Sequence, residues 1–240
     1  IISIPGRTYA QIISCVESDD PLTNQAIDLF REWDGSMHKD LVTPTIYSVF
    51  RRTLDRLVLE PMLGPLSDEA FGSAGRGAPR QIGHMSSRLA RDAGSNNTSI
   101  LPEGMDWQTL TQQSLKVAIE YLKSLLGNDI DLWRWGTVHR TEPKHKLSSL
   151  FSDLSDSLDP PSVSMSGDGD TVHSSSFGSG LSSINVGESF TVTGTSVARY
   201  VFDAGDWDKS RWFVPLGASG NPGSEHYADQ ASIWSVDQLI

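Results

Sequence analysis

The sequence predicts an α+β fold, with helices first and antiparallel strands last. Three observations carry that expectation. Apolar residues recur every three or four positions in several stretches of the first 140 residues. Short β-branched and aromatic runs, punctuated by glycine, occupy the last third. Between them, SSLFSDLSDSLDPPSVSMSG shows neither period.

Taken in order, Pro5-Gly6 opens a turn, and Thr8 to Val16 mixes small and β-branched residues, so helix and strand compete there. Ala26, Ile27, Leu29, Phe30 and Trp33 form a helical stripe, with Thr23 as the expected cap and Asp34-Gly35 as the stop. Thr43-Pro44 starts a longer helix through Ile46, Val49, Phe50, Thr53, Leu54, Leu57 and Val58, which Pro61 is expected to end. Residues 72–83 are glycine-rich and read as a flexible loop. GSAGRGAPR lacks the Gly-Lys-Ser/Thr ending of a phosphate loop. Arg88 to Ala93 fits a short helix. Asp106 to Leu126 is the strongest amphipathic stretch, ended by Gly127. Trp133 and Trp135 follow, placed to pack a core edge or line a cleft.

The expected organisation is a mainly helical part over 1–140, an extended loop over 141–166, and strands plus a closing loop over 167–240. Strand runs lie at Ser189 to Thr193, Tyr200 to Asp203 and Trp212 to Pro215, with turns at Gly194 and Gly205. These are few strands for so many helices. The remaining strands are therefore expected outside the chain, and 1–240 is not expected to be an independent domain.

A net charge of −11 argues against a nucleic-acid partner, because phosphate binding needs a basic face. Arg51, Arg52 and Arg56 share one helix and read as a solvated face. The single cysteine, Cys15, cannot form an internal disulfide, and its apolar neighbours predict a buried thiol. No run of eighteen apolar residues exists, so no membrane span is expected. The chain begins Ile1-Ile2-Ser3 without Met and reads as a piece of something longer.

Several constellations could carry chemistry. Asp168 and Asp170 stand on a glycine turn, as calcium ligands can. Thr171 and Val172 follow where a third ligand would be needed, so the expected role is a turn whose carboxylates accept backbone N–H groups. The six histidines show no H-E-x-x-H spacing, and no metal site is expected. Ser219 lies in a sequence that falls short of a G-x-S-x-G elbow. His226 and Asp229, three apart, would share a helical face and could orient an imidazole. Arg199 and Asp203, four apart on a strand, could pair along one face. Asn96 and Asn97 open overlapping Asn-x-Ser/Thr sequons, which matter only in a eukaryotic secretory route.

Four segments occur together: Trp33-Asp34-Gly35, WGTVHR at 135–140, SGDGDTV at 166–172 and ARYVFDAGDWDKSRWFVPLGASGNPGSEHYADQ at 198–230. In this order they resemble the C-terminal part of the β subunit in the penicillin acylase family of N-terminal nucleophile hydrolases. The resemblance implies a four-layer αββα sandwich, cleavage of a precursor to expose a catalytic Ser, and hydrolysis of N-acyl amides such as β-lactams and acyl homoserine lactones. It implies a backbone N–H and an Asn as oxyanion donors. None of these catalytic groups maps onto this chain, which starts at Ile1, and Glu225 stands where the family commonly has Pro. Asp168, Asp170, Arg199, Asp203, Ser219, His226 and Asp229 are then signature residues with structural roles. The implied partners are the remaining α and β segments of the precursor and a small N-acyl substrate. No cofactor is implied in the chain, although calcium is possible in the parent assembly, and the location is secreted or periplasmic. A second reading is a non-catalytic relative that lost its nucleophile. The residue that begins the β subunit separates the two.

Overall fold

Helix α1 (Ile4–Ile13) resolves the first ambiguity in favour of helix. The Ser3 hydroxyl accepts the Gly6 N–H at 3.1 Å, and Pro5 occupies the first turn, where its missing N–H costs nothing. The computed structural model describes residues 1–71, 80–177, 190–197 and 199–236. Helix α2 (Pro21–Glu32) is capped by Asp20 rather than Thr23: the carboxylate accepts both the Thr23 amide and hydroxyl, at 2.8 and 2.7 Å. Pro21 at the first position places the cap three residues upstream of Thr23.

Helix α3 (Thr43–Leu63) continues one turn fragment past the expected stop at Pro61. At that position proline leaves only the Leu57 carbonyl without its helical donor, and Gly64, with φ +53°, ends the helix instead. Short α4 (Ser67–Ala70) follows. Helix α5 (Arg80–Gly94) is longer than the six residues expected, and it takes in residues 80–83 of the expected loop, while 72–79 lie outside the described residues. Helix α6 (Trp107–Leu126) has the expected limits, with Asp106 accepting the Thr109 amide at 2.7 Å and Gly127 at φ +88°.

Helix α3 is the centre of the helical layer. Its first four turns bury Ile46, Tyr47, Val49, Phe50, Leu54 and Val58, and α6 packs on it through Leu110, Leu115, Ala118 and Leu122. Tyr9 of α1 meets Phe50 edge-on at 5.4 Å, and Trp33 lies 5.3 Å from Tyr47. Trp133 and Trp135, the latter opening α7 (Trp135–Val138), are fully buried core residues.

Among the described residues the strands are antiparallel, as expected, and form two separate two-stranded sheets. Strand β1 (Ser175–Phe177) pairs with β2 (Val192–Thr195), with an irregularity at Phe177. Strand β3 (Arg199–Val201) pairs with β4 (Arg211–Phe213), Tyr200 opposite Trp212. Gly194 is not a turn but lies in β2 opposite Ser176, whose hydroxyl would sit 2.7 Å from an added Cβ. Ser189, the expected start of this strand, lies outside the described residues. Segment 141–166 is a loop broken by helical turns, including α8 (Ser155–Leu158). A second, small core of Met165, Phe213 and Trp234 ties β4 to α9 (Ala231–Trp234).

Two further expectations are corrected. Cys15 is exposed, because α1 ends at Ile13 and the turn after it points Val16 inward and Cys15 outward. The α3 arginines are not a solvated face. Arg51 bonds Asp170, Tyr47 and Ser86; the Arg52 guanidinium lies 4.5 Å from the Phe177 ring centre; and Arg56 pairs with Glu60 over Phe71. Among the described residues no helix is long and apolar enough to cross a membrane.

Candidate functional site

The signature segments converge on two places: a buried polar junction against α3, and a self-bonded closing loop. The junction begins with Trp135-Gly136. Their amides donate to Leu41 and Lys39 carbonyls at 2.8 and 2.7 Å, which docks α7 on the segment that leads into α3. Gly136 sits so close that an added Cβ would meet Lys39 and Ser164 at 3.0–3.1 Å. The Trp135 indole N–H reaches the Gly167 carbonyl at 2.9 Å, joining the first motif to the second. Arg140 continues the link through the Ser162 hydroxyl at 3.0 Å.

Gly167 has φ +90°, and a Cβ there would stand 2.2 Å from the His173 carbonyl. Only glycine fits both demands. Its amide donates to the Met37 carbonyl at 2.7 Å. In the turn that follows, one of the two carboxylates accepts a backbone N–H as expected: Asp168 takes the Asp170 amide at 2.8 Å. Thr171 adds a second closure, its hydroxyl accepting the Asp168 amide at 3.0 Å.

What the sequence did not suggest is the partner of this turn. Asp170 pairs with Arg51 on α3, 119 residues away. The Arg51 Nε donates to the Ser86 hydroxyl of α5 at 2.7 Å, and its other end donates to the Tyr47 hydroxyl at 3.2 Å. Asp55, one turn along α3 and 1 % exposed, completes the cluster. Burial pushes its carboxyl up to about 6, against the pull of Arg51 and a hydrogen bond from Ser86. Asp168 is likewise raised to about 6, by burial first and by the neighbouring Asp170 charge second. Arg51 thus stands among three carboxylates, two of them buried (Asp55 and Asp168) and one, Asp170, open to solvent. The sequence signal for Asp55 was its place four residues after Arg51 on the same helix.

His139 is the other buried polar group that sequence reasoning left unassigned. It is stacked on Trp135 at 4.2 Å between ring centres and has no exposure. Its Nδ1 lies 2.9 Å from the Phe190 carbonyl, and its Nε2 lies 3.1 Å from the Ser175 hydroxyl. Burial pulls its pKa down to about 4, so the ring is neutral at pH 7.

The remaining signature residues lie apart from this junction. Arg199 does not pair with Asp203. It reaches the Trp234 carbonyl and the His173 ring, and its guanidinium stacks 4.6 Å from the Trp234 ring centre. Asp203 lies beyond β3 and instead accepts the Gly205 and Asp206 amides at 2.9 and 3.0 Å, forming the turn expected at Gly205. In the closing loop, the Ser219 amide donates to the His226 carbonyl at 3.0 Å and the Ser219 hydroxyl accepts the Asn221 amide at 3.1 Å. His226 and Asp229 do bond, at 3.0 Å, but from turns rather than a helix, and His226 is exposed. Gly217 presses on this turn, with an added Cβ 2.1 Å from the His226 carbonyl. The Gln230 side chain and amide fasten the loop's two ends, to the Val214 amide and Leu216 carbonyl. These contacts tie Ser219, His226, Asp229 and Gln230 into the loop's own architecture. Among the described residues no group of three or more His, Cys, Asp or Glu is placed to hold a metal ion.

Comparison with known proteins agrees with the arrangement of motifs. The sequence model of the family described as penicillin amidase matches residues 3–240. The penicillin acylase 2 proenzyme of Pseudomonas sp. strain SE83 is 35 % identical over 214 residues, covering 87 % of this chain and 25 % of that protein. The acyl-homoserine lactone acylase QuiP of Pseudomonas aeruginosa is 23 % identical over 239 residues, covering 93 % of this chain and 27 % of the relative. The chain thus spans about a quarter of the length of these curated relatives. It belongs to the penicillin amidase family.

Proposed function

We propose that this chain is the distal part of an N-acyl amide hydrolase whose nucleophile lies on a segment outside it. The observation that carries the reading is the match to a penicillin acylase proenzyme, 35 % identical across 87 % of the chain but reaching only 25 % of the relative. The site geometry supports it. Ser219 and His226 are tied into a turn by backbone bonds, and the carboxylates of the GDGD turn are held by Arg51 and backbone amides. Their work is to hold the shape of the fold. In the assembled acylase a Ser at the start of a processed β subunit attacks the acyl carbonyl, with its own α-amine as base. The two small sheets are then fragments of a larger αββα sandwich, completed by the other α and β segments of the precursor. Export to the periplasm or medium accompanies that processing.

The test is to isolate the natural polypeptide that contains residues 1–240 and offer it a panel of aryl-acetyl and aliphatic acyl amides, including acyl homoserine lactones. Release of free amine, abolished by a serine-directed acylating reagent, is the expected result. No release from any amide, together with a first β-subunit residue other than Ser, Thr or Cys, sinks the proposal.

A further inference from the structure

The β3–β4 hairpin carries a continuous aromatic surface on one face, open to water. Strands alternate, so residues two apart share a face. On the inner face Phe213 is fully buried with Met165 and Trp234, and the Arg199 guanidinium covers them. On the outer face Tyr200 stands opposite Trp212, with their rings stacked 4.9 Å apart and 12° from parallel. Phe202, two residues on, stacks against Tyr200 at 4.7 Å, and Trp207 closes on Phe202 at 6.3 Å. These four rings form one continuous surface, yet they remain 52, 51, 57 and 69 % exposed in the order Tyr200, Trp212, Phe202, Trp207.

With roughly 150–250 Å² of surface per aromatic side chain, exposure at this level leaves about 450 Å² of ring surface in one patch. That is within the roughly 300–600 Å² of the largest apolar patches on monomers, which are often functional. A two-stranded ribbon is also marginal alone.

We infer that the outer face of β3–β4 is the docking surface for the part of the acylase polypeptide that precedes Ile1, and that this segment lays apolar side chains over Tyr200, Phe202, Trp207 and Trp212. The inference rests on the reading of the chain as the distal part of a longer acylase. The occupant follows from length: the relatives carry about three quarters of their residues outside the matched region, so ample chain exists to cover the face. A second copy of the hairpin is the less fitting occupant, because Trp207 stands on the 3-10 turn at Trp207–Lys209, tilted 54° from Phe202, so the four rings do not form one flat face.

The test uses the natural full-length polypeptide. Hydroxyl-radical labelling, followed by peptide mass spectrometry, measures the protection of each aromatic residue relative to the urea-unfolded protein. Trp133 and Trp135, which are fully buried, serve as the covered reference, and Phe151, 52 % exposed, as the open one. The expected result is protection of Trp212 and Trp207 within about twofold of Trp133, unchanged on tenfold dilution. Tyr200→p-benzoylphenylalanine should photocross-link to peptides that precede Ile1. Labelling at the Phe151 level, protection lost on dilution, or cross-links confined to a second copy overturns the inference. The acylase assay is read separately: an inactive protein with a covered hairpin fails the function and not the docking face, whereas an active one with an open hairpin fails only the docking face.

Discussion

Replacing Asp55 by Asn should stabilise the protein at neutral pH, although it removes a charge beside Arg51. The magnitude follows from the burial of the carboxyl. A group that titrates near 6 in the folded state and near 3.8 when unfolded costs on the order of 3 kcal/mol once fully ionised. The sign is that of a raised acid: the folded state holds the proton more tightly, so stability is highest below pH 3.8 and falls as pH rises to 6. Above pH 6 the loss is complete. The attraction of Arg51 is already contained in that value, and Asp170 remains as its counter-ion in the variant. Asn keeps an oxygen for the Ser86 hydroxyl and removes the buried charge, so D55N should exceed wild type at pH 7.5 by up to about 3 kcal/mol and match it near pH 4. Urea unfolding of the natural protein at these two values reads the difference directly. A variant less stable than wild type at pH 7.5, with the gap closing at pH 4, would mean that the Arg51 attraction outweighs the burial cost, the reverse of the balance expected.

Other expectations follow from the same junction and its surroundings. His139 has the opposite sign: its folded pKa of about 4 lies below 6.5, so its neutral form contributes stability above pH 6.5 that is lost as pH falls toward 4, about 3 kcal/mol in all. In H139Q the acid limb of a melting-temperature profile should flatten. Gly167→Ala combines a left-handed φ with a Cβ 2.2 Å from a carbonyl oxygen. It should cost about 3 kcal/mol or more by denaturant titration, and a loss under 1 kcal/mol would contradict the geometry. Cys15, being exposed, should react stoichiometrically with a chromogenic disulfide reagent in the native state, without the lag that unfolding would impose.

The helical layer was legible where local chemistry and burial agree. Asp106 and Gly127 bracket α6, and its apolar residues face one direction, so its limits followed from sequence. Helix α2 started earlier because Asp20-Pro21 made a better start than Thr23, a comparison that the apolar stripe could not make. Fold class was legible; sheet extent was not, because Gly194 carries no side chain to show whether it turns or pairs. The site divided in the same way. The bond from Asp170 to its own turn is local, and so was readable as a class; its bond to Arg51 spans 119 residues and leaves no periodic trace. Arg199 and Asp203 failed as a pair because the strand ends at Val201, before Asp203 can join its face. The aromatic residues of β3–β4 gave away the strand but not the absence of cover on one side.

The hydroxyl of Ser175 leaves the buried histidine with an unsettled count. Three acceptors meet there: the Phe190 carbonyl, the Ser166 carbonyl 2.7 Å from Ser175 Oγ, and the unprotonated nitrogen of a neutral His139. A neutral ring and one hydroxyl supply two protons between them. With Nδ1–H committed to Phe190, the Ser175 proton serves either Ser166 or Nε2, and rotation about a single bond exchanges the two. A third proton, placed on the ring, would satisfy every partner in one directed chain from His139 through Ser175 to Ser166. The price of that completed chain is a charge buried in the core, cushioned on one side by the stacked Trp135 face.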